Sequence, residues 1–176
     1  MGSFLLRRLA GFFVLALSLA AIGAGCTTIK IATTPDVTNE PAPGFENVVP
    51  GSEEDFIINV GRRTYFAESS ATLDDTAMRT LDAQAAWLSV NPRWYVKLQG
   101  HADDPGNLEA NRLLSQRRAE VVMAYLISKG VEPSRLWAKG YARDRLVRDC
   151  AEIECKAQNR RTVSNLRTEK DEAAPD

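Results

Sequence analysis

Asp103 and Arg118 are the residues of this chain whose charges and spacing point most directly to chemistry. Asp103 sits in the stretch Gly100-His101-Ala102-Asp103-Asp104-Pro105-Gly106, which has the composition of a loop, and Arg118 follows in an apolar-periodic run that reads as a helix. Asn111 lies seven residues before Arg118 and shares its direction on that helix, so the two can form one polar wall. A carboxylate facing a guanidinium suits a zwitterionic ligand: Asp103 takes an ammonium, and Arg118 grips a carboxylate through two parallel hydrogen bonds. The same pair could equally be an internal Asp103 to Arg118 ion pair tying loop to helix, and spacing alone does not choose between the two.

Other polar residues carry less. His101 is the only histidine, and Cys150 and Cys155 lack zinc spacing, so no metal is expected and His101 is assigned to hold its loop through a ring hydrogen bond. Nothing around Asp103 and Asp104 suggests the raised pKa that a catalytic acid needs, so neither hydrolysis nor a cofactor is expected. Arg117, Arg118, Arg160 and Arg161 could read as a nucleic-acid patch, but 22 basic against 23 acidic residues give a formal net charge of -1, which argues against it. Trp87, Trp94 and Trp137 are read as core or sheet-covering residues.

The elements that must position these groups follow from periodicity. Phe56, Ile58 and Val60 alternate and predict a strand, with Tyr65 and Phe66 continuing or restarting it. Asp74 is placed as the N-cap of a helix in which Ala77, Leu81, Ala85 and Leu88 recur, with Pro92 just past its end. Trp94, Val96 and Leu98 predict the next strand. The longest helix spans 108–128, carrying Ser115, Ala119, Val122 and Leu126 on one stripe and ending at Gly130. A weaker strand at 135–138, a short helix over 149–157 and a last strand at 162–166 complete an alternating order. Helical crossovers bring strands parallel and a late strand can enter antiparallel, so the expected fold is an α/β two-layer sandwich: a β-α-β-α-β mixed sheet with helices on one face.

The N-terminus reads as an export segment. Arg7 and Arg8 precede an uncharged apolar run from Leu9 to Ile22, and Gly23, Ala24 and Gly25 follow. The run is shorter than the roughly 20 residues a membrane span needs, which favours a cleaved signal over 1–25. Cys26 directly after it resembles the lipid-modified cysteine of bacterial lipoproteins, although Gly23 stands where those usually carry an aliphatic residue. In that resemblance Thr27, in place of Asp, favours the outer membrane. Residues 26–50, rich in Thr and Pro, read as a tether, 51–168 as the folded domain and 169–176 as a polar tail. Export to an oxidising compartment leaves Cys150 and Cys155 as an even pair, and a disulfide between them is expected if the segment turns.

Five separated motifs then occur in order: His101 with Asp103; Asn111, Leu114, Ser115, Arg118 and Ala119; Gly130, Val131 and Arg135; Gly140 with Tyr141; and Asn159, Arg160 and Arg161. Together they resemble the OmpA-like C-terminal domain and, within that superfamily, the peptidoglycan-associated lipoproteins, over about 61–166. The resemblance implies a non-enzymatic protein that binds the peptidoglycan stem peptide at its meso-diaminopimelate side chain. Asp103 would take the ammonium and Arg118 the carboxylate, Asn111 and Leu114 would line the pocket, and Arg161 would add a contact. It also implies TolB and TolA as partners. Three departures from the family pattern stand out: Ala102 replaces a Thr, Thr162 replaces a Val, and Phe66-Ala67-Glu68-Ser69-Ser70 lacks two customary aspartates.

Overall fold

Buried Val96 and Leu98, alternating with half-buried Tyr95 and Lys97, start a central strand of the sheet, and the computed structural model, which describes residues 47–149 and 152–171, builds the rest around it. The elements are β1 (Arg63–Tyr65), α1 (Asp75–Val90), β2 (Tyr95–Gly100), α2 (Leu108–Ser128), β3 (Leu136–Gly140), α3 (Ile153–Asn159) and β4 (Arg161–Arg167). The sheet order is β1-β4-β2-β3. β2 and β3 run parallel through the α2 crossover, while β4 is antiparallel to both β1 and β2. This is the expected mixed sheet with its helices on one face.

Local chemistry accounts for the helix limits. The Asp74 carboxylate accepts from the Ala77 N–H at 2.7 Å and caps α1, and the Asn107 side chain does the same for Ala110 at 2.8 Å in α2. α2 stops because Gly130, at φ +92°, enters the left-handed region that glycine tolerates. The Gly130 N–H then reaches the Ile127 carbonyl and the Val131 N–H reaches that of Leu126, the two bonds of a Schellman end. The core fills between layers with Leu81, Ala85 and Leu88 of α1, Ala119, Val122 and Leu126 of α2, and Val96, Leu98, Leu136 and Leu166 of the sheet. One polar pair is built into this apolar layer. Gln84 donates to the Gly61 carbonyl at 2.7 Å and accepts from the Ser164 hydroxyl at 2.7 Å, linking α1 to β4 with no amide group left bare.

Residues 56–60 depart from expectation. The strand predicted there is helical: a turn at Glu53–Asp55 continues as a wider helical turn at Phe56–Val60. Five residues of imperfect alternation also fit a helical i, i+4 pair, and Phe56 alone in the segment is buried. Side-chain bonds decide it, since Ser52 caps the turn and the Asp55 carboxylate accepts from Gly51 N–H, Asn59 Nδ2 and Trp87 Nε1, each at 2.8 Å. Phe56 packs under Trp87 with ring centroids 4.9 Å apart. The short helix predicted at 149–157 lies at Ile153–Asn159, so Cys155 falls in its first turn. Cys155 is disulfide-bonded. Cys150, Cys26, the export segment and most of the tether lie outside the described residues.

Candidate functional site

In the loop leaving β2 the two neighbouring acids turn to different partners, Asp103 to Asn159 and Arg143 and Asp104 to Arg118. Asp104 turns inward to α2. Its carboxylate meets Arg118 through two bonds, Nη1 to Oδ2 at 2.6 Å and Nη2 to Oδ1 at 3.0 Å. Arg118 is 0% exposed and Asp104 2%. The guanidinium also donates from Nε to the Ser70 carbonyl at 2.8 Å, from Nη1 to that of His101 at 3.2 Å and from Nη2 to that of Ala67 at 3.0 Å, so all five of its N–H donors are committed inside the protein. Of the two acids in the loop, the one that pairs with Arg118 is Asp104 and not Asp103. The ion pair that ties loop to helix exists, one residue further along.

Asn111 joins the same frame. Its Oδ1 accepts the Asp104 N–H at 2.9 Å, and its Nδ2 donates to the carbonyls of Asp104 and Asn107, both at 3.1 Å. It staples the loop to the start of α2 from a buried position and presents no free donor. Leu114, three residues on, is half-buried. The segment that lacks the customary aspartates wraps Arg118 with its carbonyls, while the Ser69 N–H donates to Asp104 Oδ1 at 2.6 Å. Glu68 points out toward Arg160, 3.9 Å away.

Asp103 faces the other side, toward the loop after β3. Oδ2 accepts from Asn159 Nδ2 at 2.9 Å, and Oδ1 lies 3.3 Å from Arg143 Nε. Asn159 is wholly buried. Its Oδ1 accepts the N–H groups of Val147 and Arg148 and its Nδ2 also donates to the Arg148 carbonyl, so one side chain closes the 143–148 loop against Asp103. Arg143 is aimed by its predecessor. Ala142 sits at φ +45° with its N–H on the Ser115 hydroxyl at 3.0 Å and its carbonyl on the Ala102 N–H at 3.1 Å. Arg143, in contact with Asp103, lies outside the sequence motifs. Arg161 is buried beside this loop, with Nη2 donating to the Arg145 carbonyl at 3.0 Å and Nε lacking a partner. Burial pulls its guanidinium below the usual arginine range, helped by the nearby charge of Arg63.

His101 makes no ring hydrogen bond through Nδ1. Its ring instead stacks on Tyr141, with centroids 5.8 Å apart and planes 22° from parallel. Burial, with the positive charges of Arg161 and Arg145, pushes its pKa down to about 4, so the imidazole is neutral at neutral pH. Among the described residues no group of three or more His, Cys, Asp or Glu side chains could hold a metal ion.

Fold and site together define a small α/β binding domain, with its polar loops gathered where β2 and β3 end. The chain belongs to the OmpA family, whose model matches residues 65–160. It is 38% identical over 154 residues to the peptidoglycan-associated lipoprotein of Agrobacterium fabrum, covering 87% of this chain and 86% of that one. With the protein of the same name from Pseudomonas aeruginosa it is 32% identical over 157 residues, covering 85% and 92%. The crystal structure of the peptidoglycan-associated lipoprotein from Burkholderia pseudomallei superposes with a TM-score of 0.58 at 29% identity, covering 60% of this chain and 90% of that one. The C-terminal domain of Helicobacter pylori MotB shares the fold, with a TM-score of 0.56 at 22% identity over 60% of this chain and 83% of that one.

Proposed function

We propose that this chain binds peptidoglycan non-covalently, reading the ammonium and carboxylate of a diaminopimelate side chain, and tethers the wall to the outer membrane through lipid on Cys26. The observation that carries the reading is Asp103: among the described residues it is a buried acid whose cationic partner, Arg143, is exposed to solvent rather than locked inside. An incoming ammonium can therefore reach it. The names of the relatives support the wall as ligand and a lipoprotein as carrier. In this reading Arg118 and Asn111 build the site from behind, Leu114 gives it an apolar flank, and Arg161, with a buried donor to spare, faces the anionic side of the ligand. No reaction is assigned, since both acids are committed to cations and amides. A Cys150 to Cys155 bridge would stiffen the approach to Asn159 and reduce the ordering cost of binding.

Asp103→Ala should weaken retention on purified sacculi by about tenfold or more, because a partly desolvated charge-assisted contact is lost. Sacculi with no other protein present separate direct wall binding from recruitment through TolB or TolA, the partners the family resemblance implies. A diaminopimelate-containing stem peptide should bind more tightly than one carrying lysine at the same position, which keeps an ammonium but lacks the neighbouring carboxylate. Equal retention of wild type and Asp103→Ala would remove Asp103 from the site. Cys26→Ser should move the protein from the outer-membrane fraction to the soluble periplasmic one, and unchanged fractionation would end the lipid assignment.

A further inference from the structure

The two groups that hold Asp103 differ in how easily they can leave. Asn159, on Oδ2, is wholly buried and also satisfies the backbone N–H groups of Val147 and Arg148, so moving it would strand several polar groups at once. Arg143, on Oδ1, has a side chain 40% exposed against 12% for Asp103, and losing the contact only returns a guanidinium to water. An ammonium arriving at Asp103 therefore displaces Arg143 Nε and leaves Asn159 in place. Arg143 has a second hold, Nη2 on the Asp104 carbonyl at 2.6 Å, which keeps the guanidinium beside the vacated oxygen. On the diaminopimelate side chain the ammonium and a carboxylate are carried by one carbon. With the nitrogen on Asp103, that carboxylate falls against Arg143.

We propose that Arg143 determines specificity: it neutralises Asp103 in the free protein, yields that acid to the ligand's ammonium, and receives the carboxylate borne on the same carbon. The inference rests on Asp103 as the ammonium site. It makes discrimination a matter of exchange. A ligand with both charges replaces one ion pair with two, whereas a ligand with only the ammonium breaks the Arg143 to Asp103 pair and leaves the guanidinium without a counter-charge. Arg143 thus works for the first ligand and against the second.

The test uses the full-length chain in detergent, titrated with two soluble stem peptides that differ only in carrying diaminopimelate or lysine. Arg143→Gln should bind the diaminopimelate peptide about tenfold or more weakly than wild type, and the lysine peptide at least as tightly as wild type, so the gap between them closes. Arg145→Gln removes a charge from the same loop without touching Asp103, its guanidinium lying 4.7 Å over the Tyr141 ring, and should leave the ratio of the two affinities unchanged. Equal weakening of both peptides by Arg143→Gln, or no change in either, would overturn the proposal, the former reducing Arg143 to a structural or general electrostatic role. A ratio that shifts as much in Arg145→Gln would overturn it too. Failure of the underlying reading looks different, since wild type would then bind neither peptide, or Asp103→Ala would bind both undiminished.

Discussion

Arg118→Ala should lower the unfolding free energy by about 3–5 kcal/mol, because it leaves the Asp104 carboxylate buried without its counter-charge. The loss extends beyond the ion pair. Arg118 holds the carbonyls of Ala67 and Ser70 in one segment and that of His101 in another, so its removal loosens both from α2. Chemical denaturation followed by circular dichroism measures the change. Asp104→Ala alone should also be strongly destabilising, while the double substitution should cost less than the sum, with a coupling on the order of 2 kcal/mol. Additive effects would show that the pair does not act as a unit. Where Arg118→Ala remains folded, the diaminopimelate and lysine peptides should be weakened alike, since the loop that presents Asp103 has lost its anchor. A loss confined to the carboxylate-bearing peptide would instead return Arg118 to direct ligand contact.

Gly100→Ala is the second large effect. A Cβ at Gly100 would stand 1.8 Å from the Ser115 carbonyl oxygen and 3.2 Å from the Ala119 Cβ, so no rotamer change can relieve the clash. Helix α2 would have to lift from β2 over Leu98 and Val122, at a cost of at least about 3 kcal/mol. Gly130→Ala is the matched control. Nothing lies within 4 Å of its added Cβ, and only its left-handed φ is penalised, by about 1 kcal/mol. Thermal midpoints of the two variants should separate widely, and near equality would mean that the α2 to β2 spacing is soft.

Much of the architecture was legible because its signals are local. The Asp74 cap, the Gly130 stop, the 108–128 stripe and the alternation of Val96 with Leu98 each depend on neighbours within a few residues. The strand predicted at 56–60 failed for the opposite reason, since Trp87, 32 residues from Asp55 in the chain, helps hold that turn. The site shows the same division. Its loop and helix carry recognisable motifs, but Asp103 and Asp104 are adjacent and chemically identical, and only the folded path of the loop decides which one faces Arg118. Asn159 belongs to a visible motif, yet its contact with Asp103 spans 56 residues and left no local trace. Arg143 lies beyond the Gly140-Tyr141 pair in a polar loop, and its role depends on the left-handed turn at Ala142.

The order β1-β4-β2-β3 places the last strand to be synthesised second in the sheet, and β1 pairs with β4 alone. Until residue 161 and those after it are available, β1 has no strand to pair with and β2 keeps one hydrogen-bonding edge open. Completion of the sheet must therefore wait for contacts of high sequence separation, which set a slow final step in folding. Asn159 and Arg161 arrive with that strand, so the recognition loop cannot be assembled ahead of the fold, and a chain truncated before β4 forfeits its ligand and its tertiary structure together.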